Sequence, residues 1–599
     1  MKKIKGYFRI VHFLFQSARK NKIRLAWGIA ALTLVKCLLP FPMIYFPAAI
    51  IEALVNGREM PEVLALIVLM VLTSTGLLGL ERCIEKTCNI MLERLKSRLH
   101  ENLSEAVMRM PYEIMESDAF IKKAERARVA VNGDLSWSVL RGVSGPRGVN
   151  AICIGFSNIF VGIVQILCYI YILSALHIGI VLLIIVSVLL NSFLSTKKKR
   201  IDFSQRERTS EMSTRMNTCY MAMDDVRMAK DIRLFGMEHF LIEKHKGNRR
   251  DYFKVRRSFF ASYLGIEGSA LLISGLQNVI IYGYLAWNVV KERFSIGSFS
   301  KYFSTIMNFV NSLSMIIESV VNMNLFGEYM EDYYEIVDKK EEEQGRKESL
   351  PEPHFIVFEH VWFMYPETTE YVLKDINLTI EAGNKILLVG LNGAGKSTLV
   401  KLLLGLYEPS KGRILIDGTD VKELDRSAYL TLFSAVFQDY MIYAESLKEN
   451  IMFDHTDLPR MEDIIKRLKI SQILEENQIQ YDDSLSKEFD YNGKELSQGQ
   501  KQRMALARAL FKPSRVLVLD EPTAALDASA EYQLYRDFDE IVDGRTVLYI
   551  SHRLSAAMLC HKIIVIKKGE ITEEGSHEQL LARRADYFEM YTRQAQSYK

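Results

Sequence analysis

The sequence predicts a membrane all-α region of six helices fused to a cytosolic α/β domain built on a phosphate-binding loop. Three observations predict it. Long apolar stretches crowd the first half of the 599 residues, while the second half has ordinary soluble composition. Gly390-Leu-Asn-Gly-Ala-Gly-Lys-Ser-Thr398 follows the apolar run Lys385-Ile-Leu-Leu-Val and opens into Leu399-Val-Lys-Leu-Leu-Leu, which is the strand, glycine-rich turn and helix such a loop needs. Arg515-Val-Leu-Val-Leu-Asp520-Glu521-Pro reads as a second buried strand, ending in two acids. The chain is too long for one core. A net charge of +3 creates no global field, which argues against nucleic acid as a partner. The seven cysteines show no CxxC pair or metal spacing and read as reduced, structural residues.

The N-terminal stretch 1–22 alternates basic residues with Tyr7, Phe8, Ile10, Val11, Phe13, Leu14 and Phe15. Arg9 and His12 interrupt its apolar run and no small-residue cleavage site follows, so it reads as an amphipathic helix on the cytoplasmic face rather than a secretory signal. Six apolar segments follow, at about 25–51, 63–84, 151–173, 178–193, 259–290 and 296–323, near the roughly 20 residues that cross a bilayer. Links within the pairs one–two, three–four and five–six are short. The long links carry Lys122, Lys123, Arg126, Arg128 and the Lys197–Arg200 cluster, which places them, and with six spans both termini, on the cytoplasmic side. Their helix-forming composition predicts membrane helices that run on into the cytosol and reverse near Asp118 and near Gly236. Gly142, Gly145, Pro146 and Gly148 mark a break before the third segment, either a kink or a loop. Pro40, Pro42 and Pro47 are expected to bend the first.

Polar residues within spans are candidates for function. Asn308, Asn311, Met315, Glu318 and Asn322 recur at helical spacing on the sixth, Glu267 and Gln277 stand on the fifth, and Gln165 on the third. They line a cavity for an amphipathic cargo or join helices by hydrogen bonds. A charged stretch with Pro351 and Pro353 then separates domains, giving a transmembrane domain 1–336, a linker 337–352 and a nucleotide-binding domain 353–599.

In the soluble half, the loop glycines let backbone N–H groups surround phosphate oxygens, helped by the positive end of the following helix. Lys396 supplies a charge for the β- and γ-phosphates, and the Ser397 hydroxyl is placed to ligate Mg²⁺. Tyr365, at the end of the strand-like run from Phe355, either packs locally or stacks on adenine. Asp520 is in reach of the Mg²⁺ shell and Glu521 of a water for in-line attack. Leu496-Ser497-Gln498-Gly499-Gln500 opens a helix, Gln438 and Asp527 punctuate the domain, and His552 follows the strand from Thr546, which favours a γ-phosphate contact.

These motifs, in this order, resemble the ATP-binding cassette (ABC) transporter family, as an exporter-type half-transporter similar to bacterial peptide and multidrug exporters. The stretch Ala229–Gly236 resembles the second cytoplasmic turn of such exporters. The resemblance implies ATP-driven export of an amphipathic substrate (peptide, lipid-like molecule or drug) across the cell membrane, by a dimer with another half-transporter. The alternative is an ATP-gated membrane regulator or channel without uphill transport. It implies an ATPase with ATP and Mg²⁺ as cofactors and composite sites, in which Gly390–Thr398 of one cassette faces Leu496–Gln500 of the other. Gly390, Asn392, Gly393, Ala394, Gly395, Lys396, Ser397 and Thr398 would hold phosphates. Ser397, Gln438 and Asp520 would serve Mg²⁺, Tyr365 adenine, Glu521 the lytic water and His552 the γ-phosphate. Ser497, Gln498, Gly499 and Gln500 would cap the ATP bound opposite, and Asp527 would cross the interface. Gln498 stands where the family most often has glycine.

Overall fold

The computed structural model describes residues 2–133, 147–174, 176, 178–225, 228–338, 354–366, 368–487, 490–521, 542, 544–551 and 554–597. Contacts divide the chain into two units, Met1–Arg109 with Asp118–Lys339, and Met110–Ser117 with Lys340–Lys599.

The first unit is helical: α1 (Lys2–Lys20), α2 (Leu25–Leu38), α3 (Pro40–Val55), α4 (Met60–Arg109), α6 (Asp118–Asn132), α7 (Val149–Leu173), α8 (Ile178–Asp224), α9 (Ala229–Leu234), α10 (Glu238–Val290) and α11 (Ile296–Val337). The short α5 (Tyr112–Met115) lies in the stretch that joins the second unit. α1 buries Val11, Leu14 and Ala18, so one face is apolar and covered, as its spacing predicts. The first expected span is two helices, α2 and α3, parted at Leu39 where Pro40 begins the next; proline cannot donate to the preceding turn. Chain reversal occurs at α5, just before Asp118, and at α9 with Gly236 in a positive-φ turn.

Among the described residues five helical stretches are long and apolar enough to cross a membrane, Leu25–Val55, Met60–Arg109, Val149–Leu173, Glu238–Val290 and Ile296–Val337. The fourth expected segment opens α8, whose described residues include the apolar stretch Leu182–Asn191. α8 then runs on through the Lys197–Arg200 cluster as one helix. Of the glycine–proline run before the third segment, Gly142, Gly145 and Pro146 lie outside the described residues. Gly148 caps the start of α7, and α6 ends at Asn132.

α7 packs closely along α11: a Cβ at Gly162 would lie 2.5 Å from Ile316 Cγ1. Gln165 is 6% exposed; its Nε2 donates to Lys36 O at 2.8 Å and its Oε1 accepts from Ser312 Oγ at 2.7 Å. One amide thus ties α2, α7 and α11 together. Glu267 is ion-paired with Lys198, joining α10 to α8. For Gln165 and Glu267 the helix-joining alternative is therefore what the structure contains. The polar set on α11 divides: Asn322 is buried, whereas Asn311 and Glu318 are exposed. Gln165→Leu should lower the midpoint of thermal unfolding in detergent, because two partners lose a buried bond worth about 1 kcal/mol each. An unchanged midpoint would show that the helices are held without it.

The second unit contains two sheets. One is antiparallel, order β2-β1-β4-β5, with β1 (Phe355–Phe363), β2 (Leu373–Glu381), β4 (Lys411–Ile416) and β5 (Thr419–Asp420). The other has order β10-β9-β3-β8-β7-β6, with β3 (Lys385–Val389), β6 (Phe433–Val436), β7 (Val516–Asp520), β8 (Thr546–Ile550), β9 (Lys562–Lys567) and β10 (Glu570–Gly575). β6, β7, β8, β3 and β9 are parallel neighbours. Ile386–Val389, Val516–Leu519 and Val547–Ile550 are buried throughout, the continuous apolar run of a sheet covered on both faces. The helices are α12 (Lys396–Leu403), α13 (Arg426–Thr431), α14 (Leu447–Met452), α15 (Leu458–Arg467), α16 (Ile470–Glu476), α17 (Gln498–Phe511), α18 (His577–Arg583) and α19 (Asp586–Ser597).

Candidate nucleotide site

Because the central strands are parallel, their C-terminal ends share one edge of the sheet, where ligands bind in such folds. Register sets the level: Ile550 of β8 pairs with Leu388 of β3 on one side and with Asp520 of β7 on the other. The loop after β3 and the acids ending β7 are therefore about 10 Å apart across a single strand. Gln438, exposed two residues past β6, emerges on the same edge.

The loop is built by backbone geometry. Gly390 lies so close to β9 that a Cβ would sit 2.3 Å from Ile566 O. Gly395 has φ of +106° and a Cβ there would meet Leu373 Cδ2 at 2.7 Å. Only glycine fits these positions, and the chain thereby delivers Lys396 and Ser397 to the first turn of α12. Lys396 is 6% exposed, and its Nζ donates to Gly390 O at 2.9 Å and Leu391 O at 3.1 Å, curled across the loop mouth. Asn392, Gly393 and Ser397 are exposed, whereas Ala394 and Thr398 are buried. The Tyr365 hydroxyl lies 3.0 Å from Thr398 Oγ1, and its half-buried ring stands edge-on to Phe363 and Tyr407. Local packing of Tyr365 is thus present, and it places the ring beside the loop.

Charge is concentrated at the strand ends. Burial lowers the Lys396 pKa, and the negative charges of Glu521 and Asp520 oppose that shift. Burial pushes the Asp520 carboxyl up to about 6, with Glu521 and Asp439 adding to the shift and Lys396 opposing it. Glu521 is half-buried with φ of +49°, and its N–H donates to Ile550 O at 2.9 Å. Positive φ is uncommon for a side-chain-bearing residue and marks a turn held by its surroundings. The donor set is hard oxygen, with the carboxylates of Asp520 and Glu521 facing one lysine. That surplus of negative charge fits a divalent cation such as Mg²⁺.

The sign of the Asp520 shift gives a test. Its folded pKa is raised, so between the ordinary value of 3.8 and about 6 the folded state holds a proton the unfolded state has released. This group's contribution to stability therefore falls as pH rises through that window. Without nucleotide or divalent cation, Asp520→Asn should melt at a higher temperature than wild type at pH 7.5, the gap closing below pH 6. A gap that widened on acidification would contradict the assignment.

α17 carries the remaining motif. Ser497 is its N-cap: the hydroxyl accepts from Gln500 N–H at 3.4 Å, and Gln500 Oε1 accepts from Ser497 N–H at 2.8 Å. The Gln500 side chain is thus engaged in a capping box. Tyr440 donates to Gln498 O at 3.0 Å, and the Gln498 side chain is exposed. Arg508 on α17 donates to Asn450 O and Met441 O, both at 2.8 Å, locking the segment after Gln438 to this helix. Sequence reasoning passed over Tyr440, Arg508, Tyr407 and Lys401, since each acts through neighbours distant in sequence. His552 and Asp527 lie outside the described residues.

A family profile described as ABC transporter matches residues 373–524. The subtilin transport ATP-binding protein SpaT of Bacillus subtilis is 35% identical over 368 residues, covering 59% of this chain and 58% of that protein. The ATP-dependent lipid A-core flippase of Methylobacillus flagellatus is 32% identical over 375 residues, covering 61% of each. The lactococcin transport/processing ATP-binding protein LcnC-like of Lactococcus lactis is 32% identical over 52% of this chain and 44% of its own length. The chain thus spans about three fifths of the length of the first two curated relatives. A bacterial Atm1-family ABC exporter solved with ATP bound has the same fold, with a TM-score of 0.73 and 22% identity over 96% of this chain and 98% of that one. The chain therefore carries an ABC transporter ATP-binding domain at residues 373–524, in the fold of a bacterial ABC exporter.

Proposed function

We propose that this chain is one half of a dimeric exporter, a multi-pass protein of the cell membrane that uses ATP hydrolysis to move an amphipathic peptide, lipid-like molecule or drug. The second half is another copy or a similar chain. One observation supports this above all: the phosphate loop, the Asp520–Glu521 pair and Gln438 share one sheet edge, in a chain whose described residues include five helical stretches long and apolar enough to cross a membrane. Residues 1–336 form the transmembrane domain, 337–352 the linker and 353–599 the cassette, with both termini and the cassette cytoplasmic.

In this reading ATP lies on Gly390–Thr398, its base against Tyr365. Lys396 leaves the carbonyls of Gly390 and Leu391 for the β- and γ-phosphates, exchanging two neutral acceptors for charged ones. Ser397 and Gln438 would hold Mg²⁺, with Asp520 behind them, and the ion would neutralise phosphate charge. Glu521 accepts a proton from the attacking water, and His552 contacts the γ-phosphate. The Ser497 hydroxyl and Gly499 amide of the partner cassette, with Gln498 and Gln500 beside them, close over the triphosphate at the positive end of α17, and Asp527 lies at that seam. Closing the cassettes around ATP biases the membrane helices. A switch from 1:99 to 99:1 needs about 5.5 kcal/mol of differential binding, which a site shared by two chains can supply.

Inside-out proteoliposomes holding the purified complex give the test, with a fluorescent-lipid analogue, an amphipathic dye and a labelled amphipathic peptide as probes. ATP-dependent accumulation of any one above its equilibrium level is expected. Dissipation of a preset gradient on adding ATP, without accumulation, would replace the exporter with an ATP-gated channel.

A further inference from the structure

Lys401 lies one turn beyond Ser397 on α12, is half-buried, and takes no part in the reading above. Its Nζ is 5.4 Å from the ring centroid of Tyr407, 5.5 Å from that of Tyr365 and 5.8 Å from that of Tyr112. Among the described residues no carboxylate pairs with it, so three aromatic faces supply the negative potential around this ammonium. The rings also hold one another. Tyr407 stands edge-on to Tyr365 and Phe363 at 5.3 Å and to Tyr112 at 5.7 Å, and its hydroxyl donates to the carboxylate of Glu116.

The members of this cage come from three places in the chain. Tyr365 is fixed to the phosphate-loop helix through Thr398. Tyr407 follows α12. Tyr112 and Glu116 belong to α5 and its C-terminal cap, and α5 is continuous on one side with α4 and on the other with α6, both helices of the first unit. One cation is thus shared between the ring beside the nucleotide site and the segment that joins two long helices.

We propose that Lys401 is a positioning residue that makes the ordering of α5 depend on whether a base occupies Tyr365, an inference that rests on the ATP-binding reading. A base stacked on Tyr365 excludes water from the ring and sets a second π system behind it. Both effects strengthen the ring's hold on the ammonium. The same ammonium touches Tyr112, so the tightened cage restrains α5 as well. A ligand shifts a conformation only through an interaction that differs between its two states, and here the difference lies in the base, not in the phosphates. Tripolyphosphate, which fills the loop but brings no base, leaves α5 unrestrained.

Hydrogen exchange of the full dimer in lipid nanodiscs, in a Glu521→Gln background that holds nucleotide, tests this. ATP should slow exchange over 110–117 by about fivefold or more, the lower end of ordinary coupling between sites, and tripolyphosphate should not. Lys401→Met should abolish the ATP effect on 110–117 while 390–398 remains protected by either ligand, and Lys401→Arg should keep it. Tyr112→Leu, which leaves α12 intact, should abolish it in the same way. Equal protection of 110–117 by ATP and tripolyphosphate, or an ATP effect that survives Lys401→Met, overturns the proposal and leaves ATP binding standing. Loss of protection at 390–398 in the parent protein would overturn the ATP-binding reading itself.

Discussion

Replacing Glu521 by glutamine should lower ATP turnover by about 10²- to 10⁴-fold, the usual contribution of a positioned general base, without weakening ATP binding. Glu521 directly follows the end of β7, and its backbone N–H is held by Ile550 O. Glutamine keeps the shape and the hydrogen-bonding reach but accepts no proton. It also removes one of the negative charges that raise the Asp520 pKa, so a triphosphate is approached with less repulsion. Occupancy and turnover should move in opposite directions: the variant should retain ATP through gel filtration, as a dimer, while releasing little phosphate. Steady-state phosphate release and the retained ATP per chain give the two readings. Turnover near wild type would remove Glu521 from the role of base and pass it to another acceptor on the same sheet edge.

How much of this was legible follows from what each feature requires. The phosphate loop and the acid-ended β7 could be read because fully buried parallel strands need unbroken apolar runs, and because a glycine-rich turn of that spacing has few other uses. The reversal points near Asp118 and Gly236 were legible as interruptions of helical composition. The end of the fourth segment was not, since α8 carries its apolar stretch straight into the basic cluster without a boundary. The role of Gln165 was left open because an amide facing a cargo and an amide bridging Lys36 and Ser312 look the same in one dimension. The allegiance of α5 was invisible for a related reason. Tyr112 and Glu116 meet Tyr407 across 295 and 291 residues of sequence, and no local pattern announces a pairing of that range. Gln498 sits where a glycine was expected, yet its contact with Tyr440 runs through a backbone carbonyl that any residue would offer.

Gly499→Asp should leave the fold of the cassette untouched and abolish its turnover, and these two outcomes together bear on whether the site is shared. A Cβ at Gly499 meets nothing within 4 Å among the described residues, so no packing among them demands glycine there. An acid in the first turn of α17 would even favour the helix, since carboxylates are stabilising near a helix N-terminus. The thermal midpoint of the nucleotide-free protein should therefore stay level or rise. If the amide of Gly499 closes over a triphosphate held by a second chain, the same carboxylate faces phosphate charge. Like-charge contact of that kind costs several kcal/mol, about 10²-fold or more in ATP-dependent closure and turnover. A mixed dimer separates the possibilities. With Lys396→Ala in one copy and Gly499→Asp in the other, a shared arrangement places both lesions in one site and leaves the second complete, so turnover should survive where neither variant homodimer has any. If each cassette worked alone, every site in the mixed dimer would carry one lesion and none would turn over. Silence in the mixed dimer, against an active wild-type dimer prepared in the same way, would dismiss the shared site and with it the role given to Ser497 and Gly499.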